Sequence, residues 1–143
     1  MLNELYQEVI VDHGRKPRNF GSVVGATHSA EGFNTLCGDR VLVSLVMDGE
    51  LVHDVKFEGA GCAICMASAS LMTQMVKGKS VEEVDALFST FQSAVTKEGA
   101  PVDGLDELEA LVGVRQYPNR VKCATLAWHA IREAFNSPMP EVN

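Results

Sequence analysis

Leu51-Val-His-Asp-Val-Lys-Phe57-Glu-Gly-Ala-Gly-Cys62-Ala-Ile-Cys65-Met-Ala-Ser-Ala-Ser-Leu-Met72 is the stretch on which the reading of the fold depends. Its opening alternates like a strand, with Leu51, Val55 and Phe57 on one face and Asp54 and Lys56 on the other. His53 falls on the apolar side. Gly59 and Gly61 then make a turn, and the period changes: Ala67, Leu71 and Met75, with Met72 and Val76, share one face of a helix. A strand that hands over to a helix through a glycine turn puts Cys62 at a helix N-terminus. Unpaired backbone N–H groups and the helix dipole favour a thiolate there.

Upstream, Val41 to Met47 is apolar and β-branched, as a buried strand should be. Asp48-Gly49 follows, a signal for a type I′ hairpin into Leu51–Phe57. Gly25 to Phe33 alternates loosely and reads as a further strand. An amphipathic helix spans Leu2 to His13, built on Leu2, Leu5, Tyr6, Val9 and Ile10, and Pro17 breaks the polar loop beyond it. His13 at that helix end reads as a favourable C-terminal cation or a hydrogen-bonding group, not as a metal ligand.

Downstream, Gly78 ends the helix after Cys62. Ser80-Val-Glu-Glu83 forms a capping box for a helix carried by Val84, Leu87, Phe88, Phe91 and Val95. Leu105, Leu108, Leu111 and Val112 predict a short helix stopped by Gly113. Pro118 opens the last helix, whose stripe is Cys123, Leu126, Ala127, Ala130, Ile131 and Ala134. Asn136 to Asn143 reads as a frayed tail. One helix, about three strands and then four helices is α+β: a small antiparallel sheet packed against a layer of helices. A single domain over residues 1–143 is expected.

The chain has 143 residues, 46% of them hydrophobic, enough for a core without disulfide staples. A net charge of −7 with no run of Lys or Arg argues against a nucleic-acid partner. No signal peptide and no membrane-spanning run is visible, so a reducing cytoplasmic compartment is expected. The four cysteines are then metal ligands or catalytic groups sooner than disulfides. Cys37 and Asp39 precede the first firm strand and Cys62 follows the second, so a hairpin brings them to one end of the sheet. Cys123 reaches the same place if the last helix packs on the sheet. Three thiolates and a carboxylate suit Zn²⁺ or an iron–sulfur unit, with Asp39 the more exchangeable ligand. Cys62-x-x-Cys65 also permits a redox pair, and free cysteines are often simply buried, a reading that fits Cys65.

The motifs Tyr6-Gln-Glu-Val-Ile-Val-Asp-His13 with Pro17-Arg-Asn-Phe-Gly21, Asn34-Thr-Leu-Cys-Gly-Asp39, Gly59-Ala-Gly-Cys-Ala-Ile64 and Arg120-Val-Lys-Cys-Ala-Thr-Leu-Ala-Trp128 occur in this order. Together they resemble the IscU/SufU/NifU N-terminal iron–sulfur assembly proteins over nearly the whole chain. Lys122, where the IscU branch carries His, and the segment Gly99–Tyr117 look like the SufU branch. The resemblance implies a SufE/NifU-like α+β fold and a zinc protein that accepts persulfide sulfur from a cysteine desulfurase and feeds downstream cluster assembly. It implies Cys37, Asp39, Cys62 and Cys123 as metal ligands and Cys37 as sulfur acceptor. Arg120, three residues before Cys123, either stabilises the sulfur anion or docks the partner, or is simply a solvated surface cation. The alternative is a scaffold that binds iron and assembles and transfers a [2Fe–2S] cluster. Cys65 stands where such relatives usually have Ser, and is read as a harmless replacement in preference to a spare ligand or relay.

Overall fold

The computed structural model describes residues 4–139, with side chains from residue 7 onward. Helix α1 (Glu4–Arg15) is followed by strands β1 (His28–Asn34), β2 (Asp39–Asp48) and β3 (Leu51–Ala60). Then come α2 (Ala63–Val76), α3 (Val81–Thr96), a 3₁₀ helix (Asp106–Gln116) and α4 (Pro118–Phe135). The strands form one antiparallel sheet in the order β1-β2-β3. The α+β expectation holds. Of the expected first helix, Leu2 and the side chains of Leu5 and Tyr6 lie outside the described residues, and the helix runs two residues past His13.

The inner face of the sheet is apolar. Val41, Val43 and Leu45 from β2 and Val52, Val55 and Phe57 from β3 are fully buried. α4 covers β1 and β2, and α2 lies between α1 and α4. Trp128 of α4 anchors this layer: its ring lies 6.0 Å from Phe88 and 5.6 Å from Phe91, both on α3. Three of the scarce aromatics thus meet where α3 and α4 pack, and aliphatic side chains with Phe57 fill most of the remaining core.

Three expectations about the strands need correcting. The hairpin turn is Gly49-Glu50, and only Gly49 has a positive φ (61°). A type I′ turn needs positive φ at both central residues, so this follows the type II′ pattern, with glycine first. Second, Val46 pairs with Asp54 but Met47 pairs with Val52, leaving His53 as an extra residue on β3. This bulge reverses the alternation. Val52 therefore points into the core, whereas Leu51 and His53 are exposed. Third, β3 does not stop at Phe57. It runs through Gly59, opposite Val41, to Ala60. Gly59 has φ 150°, and a Cβ there would sit 2.0 Å from the Arg40 carbonyl oxygen, so only glycine allows the strand to pass.

The sheet edges are closed by loop segments. Asn19–Gly21 bonds to both backbone groups of Phe57, and Gly78–Val81 bonds along Glu50–Val52. On the other edge, Ser29 N–H donates to Ser137, and Met139 N–H donates to Thr27. The expected tail therefore docks on β1 through residues 137–139, and residues 140–143 lie outside the described residues. Paired edges remove the exposed N–H and C=O rows that invite aggregation. The Ser80–Glu83 capping box is present in both halves. The helix expected over Leu105–Val112 is a 3₁₀ helix and continues through Gly113.

His13 is buried at the end of α1. Its Nδ1 is 2.7 Å from Ser70 Oγ on α2, and its Nε2 is 3.6 Å from Glu107 of the 3₁₀ helix. Burial, aided by Arg18, holds its pKa below 6.5 despite Glu107. The hydrogen-bonding reading therefore replaces the cationic one. Since the unfolded chain takes up this proton first, His13 stabilises fully above about pH 6.5 and loses that contribution as the pH falls below it. The stability difference between the wild type and His13→Gln, measured by urea unfolding, is expected to narrow from pH 7.5 to pH 5.5. A difference independent of pH would count against a neutral buried imidazole.

Candidate metal centre

The site forms where three chain junctions meet. Asn34 ends β1 and Asp39 begins β2, and the two pair across the turn Thr35-Leu36-Cys37-Gly38, in which Gly38 supplies φ 73°. β3 ends at Ala60, and Cys62 is the N-cap of α2 with extended backbone (φ −70°, ψ 166°). Cys123 lies in α4, which begins at Pro118.

Cys37, Asp39 and Cys123 bring ligand atoms to within 4.8 Å of one another. Cys62 joins through Asp39. Its backbone N–H donates to Asp39 Oδ1 at 2.9 Å, and its thiol lies 4.0 Å from Oδ2. A carboxylate on the amide that opens α2 is favoured by the exposed N–H groups and the helix dipole. Gly61 leaves room for it: a Cβ at that position would come within 2.6 Å of Asp39 Oδ1. Asp39 and Cys123 are buried, whereas Cys37 and Cys62 are half-buried.

Cys123 is the most crowded sulfur. Burial pushes its thiol up, as do the hydrogen-bonding neighbours Asp39, Cys37 and Cys62. Asn34 donates to Cys123 Sγ at 3.6 Å, and the thiol lies 3.8 Å from the Asn119 carbonyl oxygen. Arg120, fully exposed, lies close enough to the Cys123 and Cys62 sulfurs to interact with both, which raises its own pKa. The structure thus brings the exposed guanidinium to the sulfurs. Lys122 lies elsewhere, on a groove of about 270 Å³ with Phe33, Asn34, Thr35 and His129.

Cys65 stands apart. It is fully buried one helical turn beyond Cys62, and burial, then Asp39, Cys62 and Cys37, push its pKa up to about 12. A thiol so placed stays protonated at neutral pH and packs as a small apolar group. Asn34 is the site residue whose part was not read from sequence. The signal for it is an Asn at a strand end ahead of a glycine-containing turn, where its side chain caps the backbone N–H two residues on.

Three thiols and a carboxylate drawn together out of water repel one another once ionised. A cation between them removes that repulsion, and this donor set fits a four-coordinate borderline-soft ion such as Zn²⁺. An iron–sulfur unit draws on the same sulfur ligands.

Residues 5–137 match the family described as the NifU-like N terminal domain. This chain belongs to that family. Within it, the chain is 44% identical over 133 residues to the zinc-dependent sulfurtransferase SufU of Bacillus subtilis (strain 168), covering 92% of this chain and 90% of that one. It is 40% identical over 135 residues to the iron–sulfur cluster assembly scaffold protein IscU of Streptococcus pyogenes serotype M1, covering 94% and 84%. A crystal structure described as a SUF-system assembly scaffold protein from Fervidobacterium islandicum AW-1 superposes with a TM-score of 0.84 at 32% identity, covering 89% and 93%. These relatives divide on the role: one is named a zinc-dependent sulfurtransferase, the other two iron–sulfur cluster assembly scaffolds. No helix among the described residues is long and apolar enough to cross a membrane.

Gly61→Ala tests the packing of the carboxylate. The residue is exposed and its backbone is compatible with alanine, so the fold should survive while Asp39 is displaced. Zinc affinity, measured by competition with a chelating dye, is expected to fall on the order of tenfold or more, as when outer contacts of a metal ligand are lost. Unchanged affinity would remove Asp39 from the ligand set.

Proposed function

We propose that this protein takes up persulfide sulfur from a cysteine desulfurase on Cys37 and passes it on in iron–sulfur cluster assembly, with Zn²⁺ held by Cys37, Asp39, Cys62 and Cys123. The observation that carries the reading is the convergence of Cys37, Asp39 and Cys123, with the Asp39 carboxylate tied to the N-cap amide of α2. The similarity to the Bacillus subtilis sulfurtransferase supports the choice of role.

Zinc, when bound, keeps the thiols deprotonated and damps their reactivity. The chain's own residues divide the remaining work. Asp39 and Cys62 sit on the rigid end of the sheet and the start of α2, and Cys123 is locked in α4. Cys37 lies on a four-residue turn, half-exposed and next to a glycine, so it is the sulfur that can move to a partner. Its thiolate attacks the outer sulfur of the donor's Cys–S–SH group. A Cys37 S–S bond forms, the donor S–S bond breaks, the donor cysteine leaves as thiolate, and the proton stays on the transferred sulfur. Arg120 lies beside Cys123 and Cys62 and offsets the negative charge that gathers there.

A second reading, a scaffold for a [2Fe–2S] cluster, draws support from the 40% identity to the Streptococcus pyogenes protein. The cluster would then be cargo on the same ligands, with the Asp39 oxygen as its labile contact. The two readings separate on protein purified without reconstitution. Zinc near one equivalent, and a several-fold rise in desulfurase turnover when the protein is added with cysteine, are expected. A labile cluster with no effect on turnover would overturn the transfer reading. Cys37→Ala should abolish the rise, and Cys65→Ser should leave both zinc and activation near wild type.

A further inference from the structure

Asn34 is buried, with 7% of its surface exposed, and its side-chain amide is used at both ends. Its Oδ1 accepts the N–H of Leu36 at 3.3 Å. Its Nδ2 donates to Cys123 Sγ at 3.6 Å, across to α4. The orientation of the amide is dictated by chemistry: the Leu36 N–H is a donor only and must face the oxygen, which leaves the NH₂ group toward sulfur. The turn is closed by the Asn34–Asp39 pair, and Cys37 packs inward, while its other residues face solvent. Thr35, Leu36 and Gly38 are exposed, Leu36 by 66%, and Cys37 is half-buried.

We infer that Asn34 is a positioning residue that ties the Cys37-bearing turn to the Cys123 sulfur, so that the place of Cys123 on α4 sets where Cys37 sits. The inference rests on Cys37 being the sulfur acceptor. Asn34 touches neither donor nor transferred sulfur; it acts through the turn. In this way Cys123, buried in α4, is coupled through a single amide to Cys37 on the turn. Arg120 brings charge near the same sulfur from the solvent side, whereas Asn34 carries the turn.

The first test uses the full chain without metal. Amide hydrogen exchange of Leu36 and Cys37 is followed in wild type, Asn34→Ala, Cys123→Ala and the double variant. Each single change should speed exchange at Leu36 several-fold, and the double variant should exchange no faster than Asn34→Ala alone, because the two groups act as one link. Exchange at Leu36 unchanged in Cys123→Ala, or effects that multiply in the double variant, would overturn the inference. The second test uses Asn34→Ser, whose hydroxyl can still accept the Leu36 N–H but is too short to reach Cys123. In cobalt-loaded protein its sulfur-to-metal charge-transfer band should move to lower energy, since a sulfur lone pair relieved of a donor rises. A band that superposes on wild type would overturn the inference. Neither readout involves a desulfurase. A chain that shows the coupling yet takes up no persulfide therefore counts against the proposed transfer and not against Asn34.

Discussion

The 2.9 Å bond from the Cys62 N–H to the Asp39 carboxylate joins the end of the sheet to the start of α2, and the site depends on it. A carboxylate buried beside three thiols is costly unless its charge is met. Here an amide at the N-terminus of α2 meets part of it, and the missing side chain of Gly61 gives it space. Both hold the carboxylate in place, and Asp39 is the oxygen donor beside the sulfurs of the candidate set.

α2 can play that part because it is small and internally polar. Ser68 donates to the Ala124 carbonyl and accepts from Trp128 Nε1, stitching α2 to α4. Ser70 accepts the Arg18 N–H and contacts His13, stitching α2 to α1 and its loop. Thr73 bonds to Asn19. No buried side-chain nitrogen or oxygen among the described residues lacks a partner. Small side chains let the neighbouring helices approach, and each hydroxyl settles a donor or acceptor of its neighbour, so close packing leaves no unsatisfied polar group. Cys123 is carried on α4 and Cys62 on the start of α2, so the spacing of two of the sulfurs is a consequence of this packing.

The family resemblance was legible because it rests on local motifs. The helix boundaries were also legible to within a residue or two where caps spoke: Ser80–Glu83 at α3, Gly78 after α2, Pro118 at α4. The failures share a cause. The bulge at His53, which turns Val52 inward and Leu51 outward, has no signature in β3 alone, because it arises from register against β2. The extension of β3 through Gly59 was hidden by the usual association of glycine with turns, whereas here the glycine is demanded by the neighbouring Arg40 carbonyl. The last residues read as a tail because nothing in them announces the β1 edge on which residues 137–139 dock.

By itself, the sequence determined the element types, the α+β order and which residues have ligand chemistry, since these follow from periodicity, capping and side-chain type within short windows. The tertiary structure decided which of those ligands meet. Cys123 lies far from Cys37 along the chain and reaches it only because α4 packs across β1 and β2. Tertiary packing likewise separates Cys62, at the rim, from Cys65, sealed in the core one turn later, although the two are equivalent in type and adjacent in motif. It is burial and the direction of a side chain, both set by partners distant in the sequence, that make one cysteine a candidate ligand and the other part of the core.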